Sequence, residues 1–260
     1  MNGGFVLKKI MIEEMSWIEF RDVMATNDLI IVPVGSIEEH GPHNPLGTDY
    51  MIARATAKAI GEKVNAPVSP VMPIGNARNL MGFPGTASID SELLQQVMVQ
   101  VCESYIKHGA KRFLFINGHG GNTSTLKMVS AELYNKHGVI STQTEWWLTL
   151  PQISEYKCND HGGQFETSLM MAVNEELVDM SKAQTVLRKN LTDELVFKDG
   201  LEYKGAKVAV GFTLEKITPL GNYGAEAEKA NLDLGNKLFD KYIDYCSGLA
   251  TELKKIPARN

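Results

Sequence analysis

Residues 29–49 read LIIVPVGSIEEHGPHNPLGTD, a stretch that joins an apolar strand to a loop rich in acids and histidines. Its first part, LIIVPVG at residues 29–35, is a continuous apolar run that ends in glycine. Such a run is typical of a strand that is buried on both faces, as in a parallel sheet with helices on either side. The sequence therefore predicts a layered α/β fold whose first strand leads directly into a polar loop.

The order of strand, glycine-bearing loop and helix recurs along the chain. The run RFLFI at residues 112–116 predicts a second buried strand, followed by a glycine-rich loop at 118–122. Helical spacing of apolar residues predicts helices at 48–63, 90–109, 123–136 and 167–181, and one or two helices over 225–253. Residues 139–148 are predicted to be extended, and the prolines of 66–74 predict an irregular or edge strand there. This order favours an α/β fold, a single domain over residues 1–260 with a mainly parallel central sheet flanked by helices. Residues 187–213 are more polar and glycine-punctuated, so we expect a hairpin and loops there.

The helix predicted at residues 90–109 has the clearest amphipathic pattern. Asp90 or Ser91 begins it, and Gly109 ends it. Its inner stripe is predicted to consist of Leu93, Leu94, Val97, Val101 and Tyr105.

The composition argues against several classes of partner. The 260 residues carry 26 basic and 31 acidic side chains, a net charge of -5, so no basic excess exists to bind nucleic acid. No apolar run approaches the roughly 18–20 residues that span a bilayer, and Glu13 and Glu14 lie where a signal peptide needs its apolar centre. Cys102, Cys158 and Cys246 are far apart and odd in number, which favours a reducing compartment over a disulfide framework. We therefore expect a cytoplasmic protein with neither a nucleic-acid nor a membrane partner.

Three loops concentrate the side chains that bind metals. They are residues 35–49, 117–122 and 160–168, and they hold four of the six histidines, namely His40, His43, His119 and His161. Two of the loops follow predicted strands, and in an open α/β sheet ligands bind beyond the carboxyl ends of the strands. Each loop alone could be structural, with its histidine only hydrogen-bonded. Their occurrence together favours a metal site.

Spacing within the first loop indicates which side chains share one site. Residues two apart in extended backbone point the same way, so Glu38 and His40 can address one point while Glu39 faces elsewhere. Imidazole combined with carboxylate suits Zn, Mn or Fe(II) better than Ca or Mg. The glycines around His119 permit a close backbone approach and could leave amide N–H groups free for an oxyanion.

The motifs in these loops resemble the creatininase (creatinine amidohydrolase) family of metal-dependent hydrolases. The resemblance rests on VPVGSIEEHGPHNPLGTD at residues 32–49, GFPGT at 82–86, INGHGGN at 116–122 and HGGQFETS at 161–168. It spans roughly residues 30–170 and is weaker towards the C-terminus. The family implies an α/β fold with a central parallel sheet, a dinuclear metal centre and a ring-like homo-oligomer such as a hexamer.

Carried over by position, the resemblance implies two divalent ions, which could be Zn, Mn or Fe. The implied ligands are Glu38, His40, Asp49, His119 and Glu166. Asp49 would bridge both ions, because a carboxylate has two oxygens. Glu166 is a ligand or, alternatively, a catalytic general base. His161 resembles the acid–base residue of the family.

Two departures from the family pattern bear on ligands and substrate. Creatininase has a glutamate two residues after the N-G-H histidine, where this chain has Gly121, as in the NGHGGN branch of the family. One ion must therefore lose a ligand or take it from Glu166. A histidine common before the FPGT motif is here Leu80, which argues against creatinine as the substrate. The candidate substrate-binding residues are Arg78, Asn79, Asn122, Trp146 and Trp147, although the two tryptophans could equally fill the core.

The expected function is hydrolysis by a metal-activated water that attacks a C–N bond, in a cyclic or linear amide of a small polar substrate. One alternative keeps the metal site and opens the ring of a cyclic ketone, such as an oxidised inositol of the 3-dehydro-scyllo-inosose type. Another is a non-catalytic metal-binding subunit. A dehydrogenase is disfavoured, because no GxGxxG motif follows the first strand.

Overall fold

The structure is a computed structural model that describes residues 7–158, 160–198 and 200–258. Its α-helices are α1 Trp17–Met24, α2 Thr48–Val64, α3 Ser91–Ile106, α4 Thr123–His137, α5 Trp146–Ile153, α6 Gln164–Asn174 and α7 Leu232–Leu253. Its strands are β1 Leu29–Val34, β2 Arg112–Asn117, β3 Ile140–Glu145, β4 Leu195–Phe197, β5 Leu201–Tyr203 and β6 Ala206–Lys207. The predicted α/β class is confirmed, whereas the extent of a single domain over residues 1–260 stays a prediction.

The central sheet has the order β1-β2-β3 with all strands parallel. The register pairs Val34 with Asn117, and Asn117 in turn with Glu145. The three strands therefore end level with one another. The loops that follow β1 and β2 leave the sheet side by side, as the placement of the motifs predicted.

Alternate side chains of the strands enter two separate cores. Ile31 of β1 and Leu114 of β2 pack with residues of α2 and α7 on one face. Ile30 and Phe113 pack with residues of α3 and α4 on the other face. Because both faces are covered, every position of β1 and β2 is buried, which is the reason for their continuous apolar runs.

Two glycines let the loops touch the start of α2. A Cβ on Gly35 would lie 2.3 Å from the Cα of Tyr50, and one on Gly118 would lie 2.3 Å from the carbonyl oxygen of Asp49. No side chain can occupy that space. The first turn of α2 is therefore pressed against the ends of β1 and β2, and this packing places Asp49 at the sheet edge.

The segment at 66–74 is an irregular extended segment along the β1 edge, as predicted, and forms isolated bridges through Val68 and Met72 because its prolines lack N–H donors. Other expectations need correction. The extended stretch predicted to reach residue 148 ends at Glu145, and Trp146 begins a helix. Leu94 is buried as predicted, but Leu93 is 49% exposed, because the buried face of α3 continues through positions such as Met98.

The C-terminal half contains a second, smaller sheet. Strands β4, β5 and β6 are antiparallel, which confirms the hairpin predicted within residues 187–213. The helix predicted at 167–181 instead spans α6 and two short 3-10 turns, Glu175–Leu177 and Met180–Lys182. The tail predicted as one or two helices over 225–253 consists of a 3-10 turn, Ala227–Lys229, followed by α7 from Leu232. None of the helices in the described ranges is long and apolar enough to cross a bilayer.

Candidate metal centre

Four parts of the fold deliver buried histidines and carboxylates to one place. The loop after β1 supplies Glu38 and His40, the first turn of α2 supplies Asp49, and the loop after β2 supplies His119. The first turn of α6 supplies Glu166. All five side chains are buried in the described structure. The residues that the sequence predicted as ligands are thus brought together.

The five side chains form two groups that share Asp49. One group is Glu38, Asp49 and His119, and the other is His40, Asp49 and Glu166, each with ligand atoms within 4.8 Å of one another. Asp49 divides its oxygens between the groups. Its Oδ1 lies 2.9 Å from His40 Nε2, and its Oδ2 lies 3.2 Å from His119 Nδ1.

Further contacts complete each group. His119 Nδ1 is also 2.9 Å from Glu38 Oε2, and His40 Nε2 is 3.6 Å from Glu166 Oε2. Glu38 Oε2 and Asp49 Oδ2 are buried oxygens that lack a hydrogen-bond partner. A buried carboxylate oxygen without a donor is costly. A divalent cation would satisfy these oxygens, and the nitrogen and oxygen donors suit Zn, Mn or Fe.

The outward nitrogens of the two histidines are held by backbone carbonyls. His40 Nδ1 donates to the carbonyl of Glu38 at 3.1 Å, and His119 Nε2 donates to the carbonyl of Asn76 at 2.9 Å. These bonds fix the tautomers, so the neutral rings turn the lone pairs of His40 Nε2 and His119 Nδ1 towards the carboxylates. This is the usual arrangement around ligating histidines.

The electrostatics of the cluster favour a cation. Burial acts to lower the pKa of His40 and of His119, but neighbouring carboxylates outweigh it and raise both pKa values well above the ordinary one. Burial acts to raise the pKa of Asp49, but the charge of His40 and the close contacts with both histidines lower it. Without metal, protons on the histidines therefore balance the buried negative charge, and a metal ion can take their place.

Gly121, where creatininase has a glutamate, has no room for a side chain. A Cβ there would lie 2.0 Å from the carbonyl oxygen of Asn76, the same oxygen that binds His119. Glu166 instead faces His40, and its Oε2 accepts a 2.7 Å hydrogen bond from the Gly162 N–H. The geometry is compatible with Glu166 as a ligand, while the choice between ligand and general base stays a prediction.

His161 lies beside the cluster. Its Nδ1 is 4.0 Å from Glu38 Oε1 and 3.9 Å from Glu166 Oε2, and with Glu38 and His40 it forms a third candidate metal-binding group. Its Nε2 contacts the backbone oxygen and the side chain of Glu39. Glu39 thus faces away from Glu38 and His40, as its spacing predicted, but its contact with His161 was not anticipated.

A cavity of about 190 Å³ opens above the cluster. Trp146 and Trp147 line it, as the sequence suggested, and Trp146 is also part of the buried core. Asp160 and Tyr223 line it too, and sequence reasoning missed both as site residues. Burial and the charge of Glu166 raise the pKa of Asp160 to about 7. The position of Asp160 next to a histidine was the available signal, whereas nothing local marks Tyr223.

Other candidate residues are not brought to this cavity. Arg78 and Asn79 lie on the exposed 3-10 turn Arg78–Leu80, where Arg78 pairs with Asp90. Asn122 is buried, and its side-chain amide makes two hydrogen bonds to backbone groups. Its Oδ1 accepts from the Asn76 N–H, and its Nδ2 donates to the Gly35 carbonyl. Their roles in substrate binding stay predictions. His43 turns to the hydroxyl of Thr167 at 3.0 Å and is in none of the metal-binding groups.

Curated proteins with related sequences include hydrolases of three kinds. The mycofactocin precursor peptide peptidase of Mycolicibacterium smegmatis is 35% identical over 174 residues, covering 65% of this chain and 62% of that protein. The creatinine amidohydrolase of Pseudomonas putida is 27% identical over 197 residues, covering 67% and 76%. The 3-dehydro-scyllo-inosose hydrolase of Thermotoga maritima is 26% identical over 163 residues, covering 62% and 51%. The matched part is thus less than two thirds of the peptidase.

Solved structures show the same fold. A creatinine amidohydrolase (creatininase) has a TM-score of 0.76 at 21% identity, covering 94% of this chain and 98% of that one. A structure described as "Creatininase Mn" has a TM-score of 0.75 at 22% identity with the same coverage. The family model for creatininase, described as creatinine amidohydrolase, matches residues 13–250. By this match over most of its length, the chain belongs to the creatininase family of metal-dependent hydrolases.

Proposed function

We propose that this protein uses two divalent metal ions to hydrolyse a C–N bond in a linear or cyclic amide of a small polar substrate. The observation that carries the proposal is that the two carboxylate oxygens of Asp49 face the histidines of two separate ligand groups. A single shared carboxylate between two nitrogen-and-oxygen groups is what a two-metal centre requires. Neutralising one shared side chain should therefore affect both sites.

Divalent ions bound here would supply Lewis acidity, which polarises a carbonyl group and acidifies water. The chain supplies the remaining functions. His161 presents Nδ1 beside the cluster, where it can take up a proton and release it to a leaving nitrogen. Gly118 and Gly120 line the same cavity and allow a substrate close to the backbone. Trp146 and Trp147 contribute apolar walls that limit the size of the substrate.

A linear amide is the substrate class that we favour. The peptidase relative has the highest identity of the three relatives described above, and peptide hydrolysis breaks a linear C–N bond. Leu80, where relatives often carry a histidine, is buried outside the cavity lining, so the structure does not support the argument against creatinine that the sequence drew from this position. Because we favour a linear amide, we expect short peptides and formamides to be better substrates than creatinine.

The test begins with purified protein that is stripped by a chelator and reloaded with Zn²⁺ or Mn²⁺. We expect hydrolysis of short peptides or formamides, loss of turnover on chelation, and recovery on reloading. Metal analysis should give two ions per chain. The variant His161→Ala should retain both ions but lose about 10²–10⁴-fold in turnover, the usual range for a general acid–base group. Full activity after exhaustive chelation would overturn the proposal.

A second candidate reaction is the ring opening of a cyclic ketone such as an oxidised inositol. The relative from Thermotoga maritima is named for that activity, which supports this second candidate. Testing inosose-type ketones and creatinine as substrates in the same assay shows whether the protein cleaves a linear amide, a cyclic amide or the ring of a ketone. Tight metal retention with no hydrolysis of any compound would instead favour a non-catalytic metal-binding subunit.

We also propose a cytoplasmic homo-oligomer. The three cysteines are free and buried, which is compatible with a reducing compartment. Large apolar side chains such as Leu187, which is 80% exposed, are available for contact between copies. Light scattering after size-exclusion chromatography measures the assembly directly, and a hexamer would have six times the chain mass of 28.7 kDa.

A further inference from the structure

Glu39 lies between two candidate ligands in sequence but contacts a different residue. Its Oε1 is 3.1 Å from His161 Nε2, and its backbone carbonyl oxygen is 2.8 Å from the same nitrogen. The side chain is buried, with a relative exposure of 6% for the residue. A buried carboxylate next to an imidazole nitrogen is an arrangement that holds the ring in place.

The identity of the acceptors fixes the tautomer of His161. A carbonyl and a carboxylate can only accept hydrogen bonds, so Nε2 must carry the proton. In the neutral ring, Nδ1 then bears the lone pair. Nδ1 is the nitrogen that faces Glu38 Oε1 and Glu166 Oε2, at 4.0 and 3.9 Å. The nitrogen on the side of the metal cluster is thus left free to take up a proton.

The surroundings of Glu39 fit its carboxylate closely. The N–H of Gly41 donates to Glu39 Oε2 at 3.1 Å. Gly221 packs against the same oxygen, and a Cβ on Gly221 would lie only 1.7 Å from it. Gly221 also has a φ of +90°, which L side chains rarely adopt. The carboxylate is therefore held from two sides while it contacts His161.

The ring of His161 is restrained in its other directions as well. It lies between His40, at a centroid distance of 4.4 Å, and Tyr223, at 5.5 Å. The backbones of His161 and Tyr223 exchange two hydrogen bonds, of 3.0 and 2.8 Å. These contacts limit tilting of the ring, whereas the contact at Nε2 limits its rotation in its own plane.

We infer that Glu39 is the positioning residue of His161, which keeps the proton on Nε2 and holds Nδ1 towards the reacting groups. The inference rests on the proposed function of His161 as acid–base residue. In that role Nδ1 accepts a proton released from water and passes it to the leaving nitrogen, while the Nε2 proton stays in place. During the interval in which both nitrogens are protonated, the carboxylate of Glu39 balances the charge of the ring.

The test compares Glu39→Gln and Glu39→Asp with the wild-type protein after reloading with Zn²⁺. The first variant removes the charge at nearly constant volume, and the second retains the charge. We expect Glu39→Gln to lower kcat by roughly 10- to 100-fold, part of the full acid–base contribution, with KM within about twofold. Glu39→Asp should recover part of the loss, and both variants should bind as much zinc as the wild type.

A double-mutant cycle separates positioning from general support of the site. If Glu39 acts through His161, then Glu39→Gln should have almost no effect on kcat in a His161→Gln background. Equal losses in both backgrounds would overturn the inference. Reduced zinc content in Glu39→Gln would also overturn it, because Glu39 would then support the ligand loop instead.

A spectroscopic readout does not depend on turnover. In ¹⁵N–¹H spectra of the zinc-loaded protein, the proton on His161 Nε2 should appear strongly downfield and move upfield in Glu39→Gln. His161→Gln assigns the signal by removing it. A wild-type protein that hydrolyses no amide would contradict the proposed function. The shift of this signal in Glu39→Gln would still show whether Glu39 accepts the hydrogen bond from His161 Nε2. Normal hydrolysis with an unshifted signal would contradict the inference alone.

Discussion

The loops at the sheet edge are more buried and more closely packed than the region at residues 187–217. In the edge loops, the candidate metal ligands are buried, and Gly35, Gly118 and Gly121 lie against neighbouring backbone. The second region consists of strands of two or three residues and exposed turns, with Val208 and Val210 each more than a third exposed. The first region fixes the chemistry of the site. The described residues of the second region pack against Tyr223, which lines the cavity.

The two regions meet in a column of stacked side chains. The guanidinium of Arg188 lies 4.8 Å from the ring of Phe197 and 4.6 Å from that of Tyr223. Tyr223 in turn stacks on His161. The comparison teaches that the candidate metal ligands are packed tightly at the edge of the sheet, while one wall of the cavity above them depends on the more exposed region. The following predictions test that division.

Asp49→Ala should have the largest effect, because both ligand groups share this side chain. We expect loss of metal from both sites and a fall in turnover of about 10³-fold or more, equivalent to several kcal/mol of metal-ion stabilisation. Asp233→Ala is a matched control in the first turn of α7, where the side chain is 79% exposed. Elemental analysis and turnover measure the result, and retention of one full equivalent of metal would argue against a shared carboxylate.

Gly118→Ala should destabilise the fold strongly, because the new Cβ would lie 2.3 Å from the carbonyl oxygen of Asp49. We expect the free energy of unfolding to fall by more than about 2 kcal/mol. Gly211→Ala, in the second region, would meet no atom within 4 Å, and we expect a change within about 0.5 kcal/mol. Urea unfolding of both variants gives the comparison. Equal losses would show that the two regions are packed alike.

Arg188→Ala should have a moderate effect, because it removes the contacts with both rings of the column. We expect a loss of about 1 kcal/mol in the free energy of unfolding. Arg21→Ala removes a more distant stack, 5.7 Å from the exposed ring of Trp17, and should cost less than about 0.5 kcal/mol. Thermal unfolding distinguishes the two. A larger loss at Arg21 would mean that the column does not tie the second region to the site.

The smallest effect is expected for alkylation of the three cysteine thiols in the folded protein. Burial raises the pKa of Cys102, Cys158 and Cys246 to about 12 each. Since the thiolate is the reactive form, we expect negligible alkylation by iodoacetamide at pH 8 until the protein unfolds. Raising the pH should increase labelling only as it nears the raised pKa values. Faster labelling of Cys158 than of the other two would indicate local opening beside the 160–168 loop.

The central sheet and part of the candidate ligand cluster were predictable because their signals are local. A strand buried on both faces needs a continuous apolar run, and residues 29–35 and 112–116 have one. Glu38, His40 and His119 lie in the loops that follow those strands, so the parallel register brings them together. Asp49 and Glu166 instead come from the first turns of α2 and α6. The different direction of the Glu39 side chain was also predictable, because successive side chains point to opposite sides in extended backbone.

What the sequence did not reveal depends on contacts between distant segments. Tyr223 meets His161 through a backbone bridge across 62 positions, which no local pattern indicates. The partner of Glu39 is likewise 122 residues away. The helix that begins at Trp146 was missed because its apolar residues resemble the end of a strand. Leu93 was misplaced because a one-residue rotation of the helix exchanges its buried and exposed positions.

Two of the buried carboxylates occupy the first turns of helices, Asp49 in the 17-residue α2 and Glu166 in the 11-residue α6. The aligned peptide dipoles of a helix place partial positive charge at its amino end. Both helices therefore direct favourable potential at the acidic cluster, and they do so without any mobile counter-ion. The fold itself thus supplies part of the positive potential that a cluster of buried carboxylates requires.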